Sequence, residues 1–176
     1  MSYPSWCYFP TSTAPPEWAR SLVSVVDAAR PSIDSAKNSG LTSDTVLLEL
    51  RPGLEALGYT VEASKKKVDK VRRPVLFGEG GVERVAYEVD AVHDELGVLL
   101  EVEAGRGAMG NAVYRDLIRT SLIVGARYLA LGVMQEYRYA KTGVSQSYRD
   151  AKDLLDAIYA SGRLQFPFEG ILLFGY

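Results

Sequence analysis

The feature that most limits the fold is a pair of apolar runs, rich in β-branched residues, on either side of a short polar segment. The runs are residues 82–93 (VERVAYEVDAVH) and 98–104 (VLLEVEA), and Asp94–Gly97 separates them. Two such runs joined by four residues that include a glycine predict a β-hairpin. The fold must therefore contain a sheet built around this hairpin.

Acidic residues interrupt both runs. Residues two apart on a strand share a face, so Glu88 lies with Asp90 and Glu101 lies with Glu103. If the turn is Asp94–Gly97, Asp90 lies opposite Glu101 and Glu88 lies opposite Glu103. Like charges opposed on a sheet are destabilising, and a hard cation such as Mg²⁺ relieves this by binding carboxylate oxygens. A solvent-facing acidic side of the hairpin explains the same pattern without a metal.

The flanking sequence predicts helices packed on a mixed sheet. Apolar residues spaced by three and four indicate helices, and short apolar runs bounded by glycine or charge indicate strands. In chain order we predict a helix over 17–29, a helix that is capped by Ser43 or Asp44, runs to Leu57 and kinks or restarts at Pro52–Gly53, a strand at 60–64, and the hairpin. A helix over 112–123 follows, with Ile118 and Leu122 on its apolar face, then a strand at 127–134 buried on both faces, a helix over 151–159 and a strand at 170–176. This order predicts an α/β protein, more narrowly an α+β mixed sheet with helices on its faces.

A single domain is predicted over residues 1–176, because this length and a 47% hydrophobic content suit one core. Residues 1–16, rich in aromatics and proline, form an extended arm that docks on its own core or on a second subunit. Residues 43–135 form the core, and residues 144–176 add a C-terminal helix and strand.

Composition excludes several function classes. A formal net charge of -2 is not that of a generic polycation. With one cysteine, Cys7, and one histidine, His93, the chain has no disulfide framework and no zinc site built from several cysteines or histidines. We interpret His93 as a hairpin-end residue rather than a general base. No long uncharged apolar run and no leader-like N terminus occur, which predicts a cytoplasmic protein without membrane association.

Basic residues crowd the segment before the hairpin. They are Lys65, Lys66, Lys67, Lys70, Arg72 and Arg73, with only Asp69 among them. Such a block binds the phosphates of DNA, or else it is a solvated loop, and charge alone does not decide between these two interpretations.

The segments YEVD, LLEVEAGRG and YRDLIR together resemble the motif region of the PD-(D/E)XK restriction-endonuclease-like superfamily, nearest to its Asp…Glu-x-Glu variants of the BamHI and BglII kind. The resemblance covers Val46–Val133 and implies an αβββαβ core. It implies Mg²⁺-dependent hydrolysis of DNA phosphodiester bonds, with Mn²⁺ as an alternative ion. On this pattern Asp90 and Glu101 ligate the metal, and Glu103 assists from the position where most of the class carries lysine.

The same resemblance implies further site residues. An acidic residue of the preceding helix often joins the metal site, and Glu49 is the candidate, with Glu55 as the alternative. Arg106 and Arg115 are candidates for binding phosphate or for replacing the charge of the missing lysine. A homodimer is a further expectation, because cutting both strands of a duplex commonly takes two sites.

Two other functions fit parts of the sequence. A protein that keeps the nuclease fold without catalysis would still bind DNA through its basic residues. Residues Gly105–Gly110 (GRGAMG) also match the dinucleotide-binding pattern G-x-G-x-x-G between a strand and a helix. Against that reading, Glu101 and Glu103 would repel a pyrophosphate, so we expect no nucleotide cofactor.

Overall fold

The computed structural model describes residues 3–64, 66–105, 111–139 and 143–176. Its elements are β1 (Ser5–Phe9), α1 (Glu17–Ala28), α2 (Arg30–Ile33), α3 (Ser43–Ala56), β2 (Thr60–Val61), β3 (Val71–Phe77), β4 (Glu83–Val89), β5 (Ala91–His93), β6 (Val98–Glu103), α4 (Ala112–Ser121), β7 (Tyr128–Val133), β8 (Tyr137–Tyr139), β9 (Gly143–Ser145), α5 (Ser147–Ser161) and β10 (Gly170–Gly175). The predicted mixed α/β class is confirmed.

Six strands form the main sheet in the order β1-β10-β7-β6-β5-β2. Strands β6, β7 and β10 are parallel, because α4 and α5 are the crossover helices between them. The other neighbours are antiparallel. Strand β7 lies inside the sheet, and Leu129, Ala130, Leu131 and Val133 have no exposed surface. The prediction of a strand buried on both faces is therefore confirmed.

Helices cover both faces of the sheet. Leu22 of α1 and Leu50 of α3 belong to the same core as Leu100 of β6, whereas Leu117 of α4 belongs to the core that contains Leu99. Because side chains alternate along a strand, the face of β6 that carries Leu99 also carries Glu101 and Glu103. The acidic residues of β6 therefore lie on the side of the sheet that α4 covers.

The N-terminal arm docks on its own chain. Strand β1 pairs antiparallel with β10, from Ser5 opposite Gly175 to Phe9 opposite Ile171. Within this chain the arm therefore packs on its own core, which is one of the two predicted docking surfaces. No helix in the described ranges is long and apolar enough to cross a membrane.

Helix α3 begins one residue earlier than predicted. Thr42, rather than Ser43 or Asp44, is the N-cap, and its hydroxyl accepts the backbone N–H of Thr45 at 3.2 Å while the Thr45 hydroxyl accepts that of Thr42 at 2.9 Å. Pro52 lies inside the helix without ending it. The helix therefore continues through the position where a kink or restart was expected.

The predicted hairpin is correct at its turn and wrong beyond it. The chain bends at Asp90, so the first run is divided into β4 and β5. Only β5 pairs with β6, whereas β4 pairs with β3 in a separate two-stranded sheet. Strand β3 and the β8–β9 hairpin were not predicted, because β3 contains Pro74 and begins within the basic segment, and β8 and β9 are only three residues long each.

Candidate carboxylate site

Asp90 and Glu101 lie on neighbouring segments of the main sheet. His93 pairs with Val98 and Ala91 pairs with Leu100, so the four-residue turn is confirmed. The next position in the same register sets Asp90 opposite Glu101. The Asp90 side chain is directed toward β6, because its Oδ2 accepts the backbone N–H of Val102 at 2.7 Å.

Glu88 does not belong to this arrangement. It lies exposed on β4, opposite Arg72 of β3. The predicted pairing of Glu88 with Glu103 is therefore wrong, because the bend at Asp90 turns β4 away from β6.

Helix α4 adds a carboxylate that the sequence analysis did not identify. Asp116 is 1% exposed, and its Oδ2 has no hydrogen-bond partner within the described part of the chain. Its Oδ1 accepts the Nε–H of Arg115 at 3.0 Å. A second nitrogen of the same guanidinium donates to Glu103 Oε1. Arg115 thus bridges Asp116 on the helix and Glu103 on the strand.

We define the carboxylate cluster as Asp90, Glu101, Glu103 and Asp116, because these acids perturb one another. The pKa of Asp90 is raised to about 6: burial is the main cause, the Val102 N–H lowers the pKa, and the charges of Glu62 and Asp116 raise it. Burial, followed by the charge of Asp90, raises the pKa of Glu101 well above its ordinary value. Burial also raises the pKa of Glu103 to about 8, and a hydrogen bond with Asp116 is the next cause.

The Glu103–Asp116 contact needs a proton or a cation. Two ionised carboxylates are both acceptors, so neither can donate to the other. Arg115, which binds one oxygen of each carboxylate, supplies such a cation. The hydrogen bond to Asp116 also favours the protonated form of Glu103 and so contributes to the raised pKa of Glu103.

A second acid and a lysine lie beside the cluster. Glu62, which follows β2, is only 8% exposed, and its Oε1 binds the Lys70 ammonium at 2.5 Å. The charge of Glu62 raises the pKa of Asp90, and that of Lys70 lowers it. The hydrogen bond to Glu62 raises the pKa of Lys70. Lys70 was predicted to contact DNA, but the structure places it inward, against the acids.

The structure does not bring Glu49 to the cluster. Helix α3 packs on the face of the sheet opposite α4. Glu49 is exposed and lines a groove of about 650 Å³ between α1 and α3, together with Ser21 and Gly53. Glu55, the alternative, is exposed on the same helix.

The predicted DNA-binding arginines of β3 have ion-pair partners. Arg73 makes a two-pronged bond to the turn residue Asp94, at 2.9 and 2.6 Å. Arg72 lies 3.8 Å from Glu83. Arg72 links β3 to the start of β4, and Arg73 links β3 to the turn between β5 and β6, which leaves less of their charge available to a phosphate.

The remaining basic candidates divide into two groups. Lys66 and Lys67 are exposed on a short 3₁₀ turn before β3. Lys65 and Arg106 lie outside the described residues. Most of the predicted dinucleotide-binding loop, residues 106–110, also lies outside them.

The cluster fits a hard cation by its chemistry but is not arranged around one. Its donors are carboxylate oxygens, the ligands that Mg²⁺ prefers, and the Asp116 Oδ2 is a buried acceptor without a partner. Nevertheless, no group of three or more His, Cys, Asp or Glu side chains within the described ranges is positioned to hold a metal ion. The contacts of Glu103 with Arg115 and of Asp90 with Val102 account for this closed arrangement.

The face of α4 explains why Asp116 was missed. The predicted apolar face included Ile118 and Leu122, yet these are 51% and 49% exposed. The inward residues are Val113, Asp116 and Leu117, which recur at the same three- and four-residue spacings. An acid between two inward apolar residues was the available indication of a buried polar site.

Comparison of the chain with protein-family models, with curated proteins and with solved structures found no match.

Proposed function

We propose that this chain is a Mg²⁺-dependent endonuclease that hydrolyses DNA phosphodiester bonds, as its resemblance to the PD-(D/E)XK superfamily implies. The observation that carries the proposal is the convergence of Asp90, Glu101, Glu103 and Asp116 at one buried position. Burying several acids together costs stability, so such a cluster is retained where it has a function. A divalent cation bound to these carboxylate oxygens would offset the repulsion among them.

The order of elements supports the same proposal. Helix α3, the three main-sheet strands β2, β5 and β6, helix α4 and strand β7 follow one another in the order αβββαβ that the resemblance implies, with β3 and β4 inserted as a separate two-stranded sheet. Asp90 lies at the end of one segment and Glu101 within the next, as the Asp and Glu of the motif do in the resemblance.

Asp90 and Glu101 would hold the ion. When bound, Mg²⁺ activates a water molecule and stabilises the leaving oxygen in phosphodiester hydrolysis. Glu103, whose pKa is raised to about 8, and Asp116 lie next to these ligands and are linked by Arg115. The Arg115 side chain bridges Glu103 and Asp116 but is 53% exposed, so its outer face can contact a phosphate at the edge of the cluster.

Lys70 is a candidate replacement for the lysine that the motif lacks at Glu103. Glu103 occupies the position where most of the superfamily carries lysine, but the ammonium of Lys70 reaches the acids from the neighbouring hairpin. A lysine held by Glu62 near Asp90 can orient a water molecule or neutralise a phosphate oxygen. We propose that Lys70 supplies this charge from the position just before β3.

The direct test is incubation of the purified protein with plasmid DNA and Mg²⁺ or Mn²⁺. We expect nicked or linear products from the wild type and none from Asp90→Asn or Glu101→Gln. Asp153→Asn, which changes an exposed acid of α5, serves as the matched control and should cut normally. Equal cutting by all four proteins would reject the assignment of these residues.

A second candidate is a nuclease-fold protein that binds DNA without cutting it. The closed arrangement favours it, since Arg115 already neutralises Glu103 and Asp116 and no three-ligand group is positioned for a metal within the described residues. Such a protein would bind DNA with no dependence on Mn²⁺ or Mg²⁺. Metal binding that Asp90→Ala abolishes would decide against it.

A dinucleotide-binding function is a third candidate. The strand–helix–strand arrangement of β6, α4 and β7 agrees with it. The acids of β6 and Asp116 of α4 oppose it, because a pyrophosphate at this position would meet negative charge. An NAD(H) titration that shows no binding would remove this candidate.

A further inference from the structure

A cavity of about 400 Å³ lies beside the beginning of α1, at the end of the sheet where β6 and β7 begin. Its lining includes Trp18, Leu57, Tyr59, His93 and Leu96. A wall made mostly of aromatic and aliphatic side chains is typical of a site for a small organic molecule. The cavity does not share a residue with the carboxylate cluster, whose members on β6 lie toward the other end of that strand.

The aromatic side chains of the cavity lie on one face of the sheet. His93 pairs with Val98, and Val98 pairs with Tyr128. The rings of Tyr59 and His93 meet edge to face, with centroids 5.2 Å apart. The ring of Trp18 lies 5.3 Å from that of Tyr128. All of these residues except His93 belong to the core between the sheet and helices α1 and α3, and His93 joins this side through Tyr59.

Two side chains that line the cavity have buried polar atoms without a hydrogen-bond partner. Tyr59 is only 5% exposed, and its hydroxyl has no partner among the described residues. The indole Nε1 of Trp18 is buried and also has none there. Buried Tyr O–H and Trp N–H groups usually find a partner, because an unpaired one costs free energy. These two groups therefore favour a ligand that supplies a hydrogen-bond acceptor.

His93 adds a further donor. Its Nδ1 accepts the backbone N–H of Leu96 at 3.4 Å, so the proton of the neutral ring lies on Nε2. The aromatic lining of the cavity thus offers hydrogen-bond donors from three different side chains.

Charge restricts the ligand further. Among the described residues that line the cavity, none is Lys or Arg, and Glu17 is the one acid. A carboxylate or a phosphate would therefore meet a negative charge with no cationic side chain to offset it. An ammonium group would leave the Trp18 N–H unpaired, since both groups are donors. An uncharged acceptor, such as a carbonyl oxygen, avoids both problems.

We propose that this cavity binds an uncharged planar aromatic molecule with a carbonyl acceptor, of the aromatic amide class. The ring of the ligand packs against Trp18, Tyr59 and Leu57, and its carbonyl oxygen accepts hydrogen bonds from the Tyr59 hydroxyl and the Trp18 N–H. Binding is separate from the proposed nuclease function, because the cavity lies at the other end of β6 and requires neither a metal nor a nucleic acid.

The test is a titration of the purified protein with benzamide, followed by heteronuclear NMR of the tryptophan indole N–H groups. We expect a saturable shift of the Trp18 signal, which the spectrum of Trp18→Phe identifies. The Trp6 signal should not shift, because Trp6 does not line this cavity. Benzoate and benzylammonium carry the same ring with opposite charges, and we expect each to bind about ten-fold more weakly than benzamide because a donor of the site then stays unpaired or meets repulsion.

Tyr59→Phe removes the hydroxyl and keeps the ring. We expect this variant to bind benzamide about five-fold more weakly, which is the contribution of one hydrogen bond. Without benzamide its free energy of unfolding should equal or exceed that of the wild type, because the lost hydroxyl has no partner among the described residues. Tyr114→Phe, at an exposed position of α4, is the matched control and should bind like the wild type.

The absence of a saturable Trp18 shift would overturn the proposal, as would equal binding of the three probes. Unchanged benzamide affinity in Tyr59→Phe would show that the hydroxyl does not contact the ligand, and reduced stability of this variant would show that the hydroxyl has a partner within the fold. Either result would also overturn the proposal. Metal-dependent DNA cutting decides the nuclease proposal separately, because none of these substitutions changes the carboxylate cluster.

Discussion

Neutralising Asp90 should stabilise the protein while abolishing its proposed activity. Burial raises the pKa of this carboxyl from 3.8 to about 6. Between these values the folded protein keeps a proton that the unfolded chain has released, so the free energy of unfolding falls as the pH rises. At about 1.4 kcal/mol per pKa unit, ionised Asp90 costs the folded state about 3 kcal/mol once the pH exceeds 6.

Asp90→Asn removes this cost and keeps the hydrogen bond. The Asn Oδ1 can accept the Val102 N–H as the Asp90 Oδ2 does. We therefore expect the variant to gain about 3 kcal/mol at pH 8 and about 1 kcal/mol at pH 4.5, where most of the cost has disappeared.

The assay is urea unfolding of both proteins in EDTA at these two pH values. Asp153→Asn, at an exposed position of α5, is the control and should change stability little at either pH. A gain that is the same at both pH values, or a loss at pH 8, would show that Asp90 is not held as a costly buried charge.

Three further outcomes follow from the same cluster and its surroundings. At pH 8, Mg²⁺ at a hundred times its dissociation constant should stabilise the wild type by about 2.7 kcal/mol and leave Asp90→Asn unchanged, which calorimetric melting would measure. Arg115→Gln should raise the affinity for Mn²⁺ in the absence of DNA about ten-fold, because the guanidinium that competes with the ion for Glu103 is removed. An unchanged affinity in titration calorimetry would contradict this prediction. Replacing Lys66 and Lys67 by Gln should lower the salt slope of DNA binding by about 0.9 for each phosphate that these lysines neutralise, and an unchanged slope would make them merely solvated.

The sequence predicted the elements whose pattern is local. The turn before Val98 and the buried strand β7 followed from residue spacing, because each contains its own periodicity and its own boundary residues. The partner of β4 did not follow from residue spacing, since a strand pattern does not identify the neighbouring strand. Because the chain bends at Asp90, β4 pairs with β3 instead of β6, and packing of the whole chain determines this.

The site was predicted in the same partial way. Asp90 and Glu101 are adjacent because they lie near a short turn, where register follows from counting residues. Asp116, Glu62 and Lys70 join them from other elements, and only tertiary packing determines that. The prediction that Glu49 joins the site was wrong, because tertiary packing places helix α3 on the opposite face of the sheet.

Titration calorimetry with Mn²⁺ at about pH 8, in the absence of nucleic acid, tests most directly whether these carboxylates hold a divalent ion, because metal ligands must be deprotonated and this pH lies above the raised pKa of Asp90, about 6. We predict saturable binding to the wild type and to Glu49→Gln, and none to Asp90→Ala or Glu101→Gln. Binding that survives both substitutions in the cluster, or no binding to the wild type, would contradict the account.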